Sequence, residues 1–105
     1  MVEKTYEFAV TDEKKIERII SDENIDLNHV VLTEGESLPE HFSNSNVYLV
    51  IVRGKISIGL NDEEANAYGK GSILNVPYNT KMNISNPDRD VLELFIIKSP
   101  STFGK

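Results

Sequence analysis

The chain has 105 residues and a formal net charge of −6, with 39% hydrophobic and 27% charged residues. This length suits one domain with one continuous core, so we expect a single domain over residues 1–105. The sequence contains no cysteine, which excludes disulfides, thiolate metal ligands and a cysteine nucleophile. Its negative charge and scattered lysines and arginines disfavour nucleic acid and an anionic membrane surface as partners. Without a signal-peptide pattern or a membrane-spanning apolar run, the sequence predicts a cytoplasmic protein.

The first predicted elements are a short strand and a helix. Residues 5–10 combine Thr, Tyr, Phe and Val with partial alternation, which favours an edge strand. Thr11 is a suitable N-cap, and acidic residues follow it in the first turn of a helix predicted over residues 12–20. Ile16, Ile19 and Ile20 lie at i, i+3 and i+4, so they would form the apolar face of that helix. We therefore expect an N-terminal strand and helix, within residues 5–21, outside the main body of the protein.

From residue 27 the pattern changes to short strands separated by turn residues. Residues 47–52 are continuously apolar, which favours a strand that is covered on both faces. Further strands are predicted at 27–33, 55–60, 65–68, 72–76, 81–86 and 91–97, followed by a C-terminal tail at 99–105. Strands of this length and spacing predict an all-β sandwich or barrel over residues 27–98.

Two segments carry glycine, histidine, proline and asparagine at regular intervals. The first contains Gly35, His41-Phe42-Ser43, Val47 and Gly54, and the second contains Gly71, Pro77-Tyr78-Asn79, Met82 and Asn86. These intervals resemble the two motifs of the cupin superfamily, and the 16 residues between the motifs suit a small cupin. The resemblance implies a double-stranded β-helix, which is a jelly-roll-like barrel of the RmlC-like type.

The retained motif residues have a role in backbone geometry. Gly35, Gly54 and Gly71 lie at strand ends, where a residue without Cβ can adopt positive φ in a tight turn. Pro77 fixes φ where the chain leaves a strand, and Asn86 can hydrogen-bond its own backbone at the following turn. We therefore expect these positions to shape the turns of the barrel.

The metal ligands implied by the resemblance are mostly replaced. Metal-binding cupins place three histidines and a carboxylate at the positions that here hold His41, Ser43, Val47 and Met82. A neutral serine hydroxyl is a poor ligand and valine supplies no donor atom. The thioether of Met82 suits Cu(I), but one histidine and one methionine are too few to predict copper. The sequence therefore predicts no cofactor, with His41 as a weak candidate ligand.

A divalent transition metal would need ligands from shifted positions near His41. Glu40 is adjacent to His41 on an extended segment, so its side chain should point away. Tyr48 lies one residue from an inward position and should face outward. Asn44 lies on an irregular stretch and stays open as a ligand.

The remaining inward positions predict a pocket with one apolar wall and a few polar groups, as in small-ligand sites. The predicted lining residues are His41, Ser43, Val47, Leu49, Tyr78 and Met82. The same residues would also suit a filled barrel interior, in which a methionine packs well in irregular gaps. An imidazole can transfer protons near neutral pH, which makes His41 the candidate catalytic residue if there is one.

Three functions follow from this pocket. The sequence predicts a cupin-like protein that binds or senses a small molecule without a complete metal site. The alternatives are an enzyme and a structural or interaction protein with a packed barrel. The enzyme would use a metal on non-standard ligands, or would be a metal-free isomerase or epimerase that uses His41. The sequence favours a protein without catalytic activity over an enzyme.

A homodimer is predicted from the apolar strand 47–52. If Val47, Leu49 and Ile51 face inward, alternation places Tyr48, Val50 and Val52 on the other face, which is also apolar. Such a patch usually marks an interface, and the resemblance implies the same, since cupins commonly pair through a sheet face. We expect a two-fold dimer that buries this patch.

Overall fold

The computed structural model describes residues 2–101, in which nine β-strands form two facing antiparallel sheets. A five-stranded sheet has the order β1-β2-β9-β4-β7 and a four-stranded sheet has the order β3-β8-β5-β6. The strands are β1 (Lys15–Ser21), β2 (Asp26–Leu32), β3 (His41–Phe42), β4 (Asn46–Arg53), β5 (Lys55–Leu60), β6 (Asn66–Gly69), β7 (Ile73–Val76), β8 (Lys81–Ser85) and β9 (Leu92–Ser99). The predicted all-β barrel is thus confirmed, and it begins at residue 15 instead of residue 27.

The core lies between the sheets and is built from inward-facing residues of β2, β4, β5, β7, β8 and β9. In β4 the predicted alternation is confirmed, because Val47 and Leu49 are fully buried while Tyr48 is 37% exposed. Ile51 is buried beside them. The other members of the core are Val30, Leu32, Ile56, Ile58, Val76, Met82, Ile84, Leu92, Leu94 and Ile96.

The predicted N-terminal helix is wrong, since residues 12–20 contain the start of β1 and the described residues form no helix. A register shift in β1 between Arg18 and Ile20 marks a β-bulge, which changes the face that the following residues occupy. Ile16 pairs with Val30 before the bulge and Ile20 pairs with Leu27 after it. The bulge therefore places Ile16 and Ile20 on opposite faces of the strand, so the isoleucines do not form the single apolar face that the spacing suggested. The β-branched isoleucines also favour the strand.

The predicted strand over residues 5–10 is also wrong. Residues 2–14 form an irregular segment, here called the N-terminal arm, which lies on the outer face of the five-stranded sheet. The Phe8 ring packs edge-on against Phe95 of β9 with a centroid distance of 5.0 Å. Side-chain contacts of this kind hold the arm without adding it to either sheet.

A second β-bulge lies in β4, between Ile51 and Arg53. Ile51 is opposite Leu94 and faces the core, whereas Arg53 is opposite Glu93, which faces outward. If Val52 were paired regularly with Glu93, strict alternation would turn Arg53 toward the core together with Ile51. The bulge therefore delivers the guanidinium group to the outer face of the sheet.

The motif glycines adopt the predicted positive φ, with values of 81° at Gly35, 73° at Gly54 and 92° at Gly71. At Gly54 the backbone is also crowded, because an added Cβ would lie 2.3 Å from the carbonyl oxygen of Val91. At Gly35 an added Cβ would meet nothing within 4 Å. Gly54 is thus required by both conformation and space, and Gly35 by conformation alone.

Asn86 fixes the turn that precedes β9. Its Oδ1 accepts a hydrogen bond from the Asp88 amide at 3.1 Å, as predicted for this turn. Its Nδ2 also donates to the carbonyl oxygens of Leu32 and Asp90, both at 2.9 Å. Asn86 is fully buried, so this side chain joins the turn to the end of β2.

The C-terminal part of the chain is more ordered than a tail. β9 extends to Ser99, and the buried Ser101 hydroxyl donates a hydrogen bond to Oδ1 of Asp26 at 2.8 Å. The rest of the predicted tail, residues 102–105, lies outside the described residues. Over the described part of the chain, no helix is long and apolar enough to cross a membrane.

Candidate functional site

A cavity of about 130 Å³ opens between the two sheets beside β3. Its walls come from both sheets, so the pairing of the strands sets its shape. Most of its lining is aliphatic, with few polar groups, as in small-molecule sites. The lining residues are Ile16, Asn28, Val30, Leu38, Pro39, His41, Leu49, Met82, Ile84, Ile96 and Lys98.

Asn28 places an unsatisfied hydrogen-bond acceptor at this cavity. It lies on β2, opposite Ile96 of β9 and on the same face as Val30, and all three residues line the cavity. The Oδ1 atom of Asn28 is buried and has no hydrogen-bond partner within residues 2–101. A buried acceptor without a donor costs about 1–3 kcal/mol, so native proteins nearly always pair such atoms. A molecule bound in the cavity could supply the missing donor.

Two further polar side chains, Lys98 and His41, line the cavity. Lys98 belongs to β9 and forms no ion pair with the carboxylates of the described residues. The His41 side chain is exposed, and its Nδ1 lies 3.0 Å from the carbonyl oxygen of Pro39. Because a carbonyl oxygen can only accept, Nδ1 carries the hydrogen of this bond and Nε2 is left for another partner.

The structure brings together three of the six predicted pocket residues, His41, Leu49 and Met82. Ser43, Val47 and Tyr78 are not among the residues that line this cavity. The buried Ser43 hydroxyl donates to the Pro77 carbonyl at 2.6 Å and accepts from the Thr80 amide at 2.8 Å, so it is used in joining two loops. Val47 is fully buried in the core, and Tyr78 is 70% exposed.

Comparison with known proteins identifies the family. No family model matches the chain. The uncharacterized protein MJ0764 of Methanocaldococcus jannaschii is 43% identical over 101 residues, which are 95% of this chain and 87% of that protein. The crystal structure of the same protein, an RmlC-like cupin family protein with a double-stranded β-helix fold, superposes with a TM-score of 0.93 at 42% identity and covers 96% of this chain and 94% of that one.

The chain belongs to the RmlC-like cupin family. More distant structures show only that this cupin shares their fold. A cupin superfamily protein of Desulfitobacterium hafniense is 15% identical with a TM-score of 0.74, covering 88% of this chain and 82% of its own. The cupin domain of Schizosaccharomyces pombe Cnp3 is 20% identical with a TM-score of 0.73, covering 83% of this chain and 64% of its own.

The four positions where metal-binding cupins hold their ligands do not fit a metal in this cupin. Val47 and Met82 are buried core residues, and the Ser43 hydroxyl is already bonded to backbone groups. His41 therefore has no second nitrogen or carboxylate ligand at these positions, whereas a transition-metal site normally has about three such ligands. Within residues 2–101 no group of three or more His, Asp and Glu side chains could hold a metal ion.

The shifted positions do not complete this site. Glu40 forms an ion pair with Lys81 at 3.8 Å, and both Asn44 and Tyr48 are exposed. The Tyr48 hydroxyl accepts a hydrogen bond from Asn46 at 3.2 Å on the outer face of the sheet, as alternation predicts. The described residues of this cupin therefore offer a cavity between the sheets and no complete set of metal ligands.

A second polar cluster, which sequence reasoning missed, surrounds His29 on the outer face of the five-stranded sheet. The His29 ring is fully buried, with Nδ1 2.7 Å from Glu17 Oε2 and Nε2 2.6 Å from Glu93 Oε2. The charged imidazolium form donates from both nitrogens, so it satisfies both carboxylates at once. Arg53 extends the cluster, because its Nε lies 2.7 Å from Glu93 Oε1.

This cluster holds the N-terminal arm. The Ala9 amide donates to Glu17 Oε2 at 2.8 Å, and the Phe8 ring lies 4.7 Å from the His29 ring. Arg53 donates to the Thr11 carbonyl at 2.8 Å and to Asp12 at 2.6 Å. The arm is thus attached to the sheet through the charged groups and one aromatic side chain.

The carboxyl groups of the cluster are held in their ionised form. The hydrogen bond from the Ala9 amide, with a smaller contribution from His29, lowers the pKa of Glu17. Burial alone would raise the pKa of Glu93, but its hydrogen bonds from His29 and Arg53 outweigh burial and lower this pKa. Both carboxylates therefore stabilise the fold as anions.

Proposed function

We propose that this cupin is a binding protein for a small, mainly apolar molecule that carries a hydrogen-bond donor. The unpartnered Oδ1 of Asn28 in an otherwise aliphatic cavity carries this proposal. A donor from a ligand would remove the desolvation cost of this atom, while the aliphatic walls would bury the rest of the molecule.

The size of the cavity limits the ligand. At about 130 Å³ it is close to the ~150 Å³ of an engineered apolar cavity that accepts benzene. The ligand class is therefore a single six-membered ring or an aliphatic chain of similar volume, with a hydroxyl or amine group. A barrel whose interior was simply packed would not leave this space beside an unsatisfied amide oxygen.

The ionisable groups around the cavity favour ligand binding over catalysis. His41 and Lys98 are the titratable side chains among the described residues that line it, and no carboxylate does so. Proton transfer at a bound molecule normally needs an acid and a base held in fixed geometry by other groups. The exposed His41, bonded to one backbone carbonyl, lacks such a support.

The test compares phenol, which carries a hydrogen-bond donor, with toluene, which has a similar shape and carries none. We expect phenol to raise the melting temperature of the protein, since a ligand that binds only the folded state stabilises it by RT ln(1 + [L]/Kd). Toluene should bind about 10-fold more weakly, because it leaves Asn28 unpaired. Asn28→Leu should abolish this preference for phenol without lowering stability, and Asn83→Leu, at an exposed position of β8, serves as the control.

Two outcomes would contradict the proposal. If neither probe binds at millimolar concentration, the barrel is better described as a packed scaffold. If phenol binds equally well to the Asn28→Leu variant, Asn28 is not the group that recognises the ligand.

We further propose that this cupin forms a two-fold homodimer through the part of the outer sheet face that the N-terminal arm leaves uncovered. Val50 of β4 lies between Phe95 of β9 and Ile73 of β7, and Ile73 is 69% exposed. Tyr48, two residues away, is 37% exposed. Contiguous apolar side chains of this kind favour an interface, and cupins commonly pair through a sheet face. Because Phe8 of the arm covers part of Phe95, the expected interface is smaller than the whole outer face of the sheet.

A further inference from the structure

We propose that the cavity selects a small carboxylate, with the anionic group of the ligand at Lys98 and its hydrogen-bond donor at Asn28. This inference rests on the cavity being a ligand site, as proposed above. It adds that the ligand is an anion and that Lys98 recognises its charge.

Strand pairing places the two polar groups at a distance that one ring can span. Asp26 lies opposite Lys98 and Asn28 lies opposite Ile96, so Asn28 and Lys98 are diagonal neighbours on adjacent strands. Diagonal neighbours in an antiparallel pair are about 7–8 Å apart, and the flexible stem of a lysine adds reach. A six-membered ring with substituents at opposite ends can therefore contact both groups.

The charge of Lys98 is available to a ligand. Lys81, a half-buried lysine on β8, is already paired with Asp62 and with Glu40, whereas Lys98 has no ion pair within residues 2–101. Asp26 is the residue directly opposite Lys98 across the strand pair. Its Oδ1 accepts hydrogen bonds from the Ser21 hydroxyl at 2.9 Å and the Ser101 hydroxyl at 2.8 Å.

The surroundings of Lys98 favour a carboxylate that enters with an apolar body. Ile96 on the same strand and Ile16 on β1 line the cavity beside it, so a bound anion would be partly removed from water. An ammonium–carboxylate hydrogen bond is stronger under these conditions than at a fully solvated lysine. A free inorganic anion would leave the aliphatic walls of the cavity uncovered. An organic carboxylate covers these walls, so it is the favoured ligand.

The experiment compares four probes that differ by one group each, namely toluene, phenol, benzoate and 4-hydroxybenzoate. Dissociation constants are measured by ligand-detected NMR at low ionic strength with the whole chain. We expect 4-hydroxybenzoate to bind about 10-fold more tightly than phenol, and benzoate to exceed toluene by a similar factor. Both gains should shrink as salt is added, because salt screens the charge at a half-exposed site.

The variant Lys98→Met keeps the aliphatic stem and should remove both gains, so that in this variant 4-hydroxybenzoate binds no more tightly than phenol and benzoate no more tightly than toluene. Lys55→Met, at an exposed position outside the cavity, is the matched control and should keep them. If phenol binds but the carboxylate adds nothing, or if its advantage persists in Lys98→Met, the carboxylate proposal is overturned and the binding function stands. If none of the four probes binds to the natural chain, the proposed binding function fails as well. Circular dichroism checks that each variant is folded.

Discussion

Replacing His29 with leucine would leave the carboxylates of Glu17 and Glu93 without the imidazole that they share. The leucine would still pack against Phe8 and Phe95, so the change mainly removes the hydrogen bonds to the two carboxylates. We expect a strong loss of stability, because the cost of an uncompensated buried charge exceeds the gain from a more apolar side chain.

The magnitude follows from the geometry of the cluster. Breaking a buried ion pair from one side costs about 3–5 kcal/mol. Glu93 keeps its bond to Arg53 and Glu17 keeps the Ala9 amide, so the lower end of this range, about 3 kcal/mol, is expected for the cluster as a whole. For a chain of this size 1 kcal/mol corresponds to roughly 4 °C, so the melting temperature should fall by about 12 °C.

Thermal unfolding followed by circular dichroism at neutral pH measures this change. His41→Leu is the matched control, since the exposed His41 should alter stability by less than about 0.5 kcal/mol. Changing Glu17 and Glu93 to glutamine in the His29→Leu background should recover part of the loss, because the unpaired charges are then gone. A His29→Leu variant that melts within about 2 °C of the natural chain would refute the reasoning.

Three further outcomes are expected. Gly54→Ala should destabilise the protein far more than Gly35→Ala in chemical denaturation, because only the former brings a Cβ within 2.3 Å of backbone; equal losses would contradict this. The pKa values of Glu17 and Glu93 are lowered, so their contribution to stability is fully present above the ordinary value of 4.5 and is lost as the pH falls below it. Acid titration should therefore reveal an unfolding transition whose midpoint pH changes in the variants Glu17→Gln and Glu93→Gln. Val50→Asp should convert a dimer to a monomer in light scattering, and a natural chain that is already monomeric at tens of micromolar would overturn the proposed dimer.

Much of the fold could be predicted from the sequence because its signals are local. Turn residues separate the strands, and alternation identifies the inner face of β4. The predicted N-terminal helix was wrong because the spacing of Ile16, Ile19 and Ile20 was interpreted as one apolar face, whereas the bulge in β1 places Ile16 and Ile20 on opposite faces. β3 was missed since two residues carry no periodicity, and only the pairing of His41 with Met82 defines that strand.

The candidate site was predicted less well, because it depends on which strands are neighbours. The cupin motifs pointed to His41 and Met82, which do line the cavity. Asn28 and Lys98 lie outside both motifs, and their common face results from the pairing of β2 with β9. One signal was present in the sequence, since Asn28 is a polar residue two positions before Val30 on the inward side of an apolar strand. The cluster around His29 gave no such signal, because its members come from four strands and the arm.

The bulge in β4 has a consequence for how related chains are aligned. Deleting Val52 would remove the bulge but keep Arg53 opposite Glu93, because a residue that directly follows the inward Ile51 lies on the outer face. Regular pairing of Val52 with Glu93 would instead turn the guanidinium group of Arg53 into the aliphatic interior. A relative that lacks a residue at this position can therefore still possess the ion pairs that hold the arm, provided that its arginine directly follows the last inward residue of the strand.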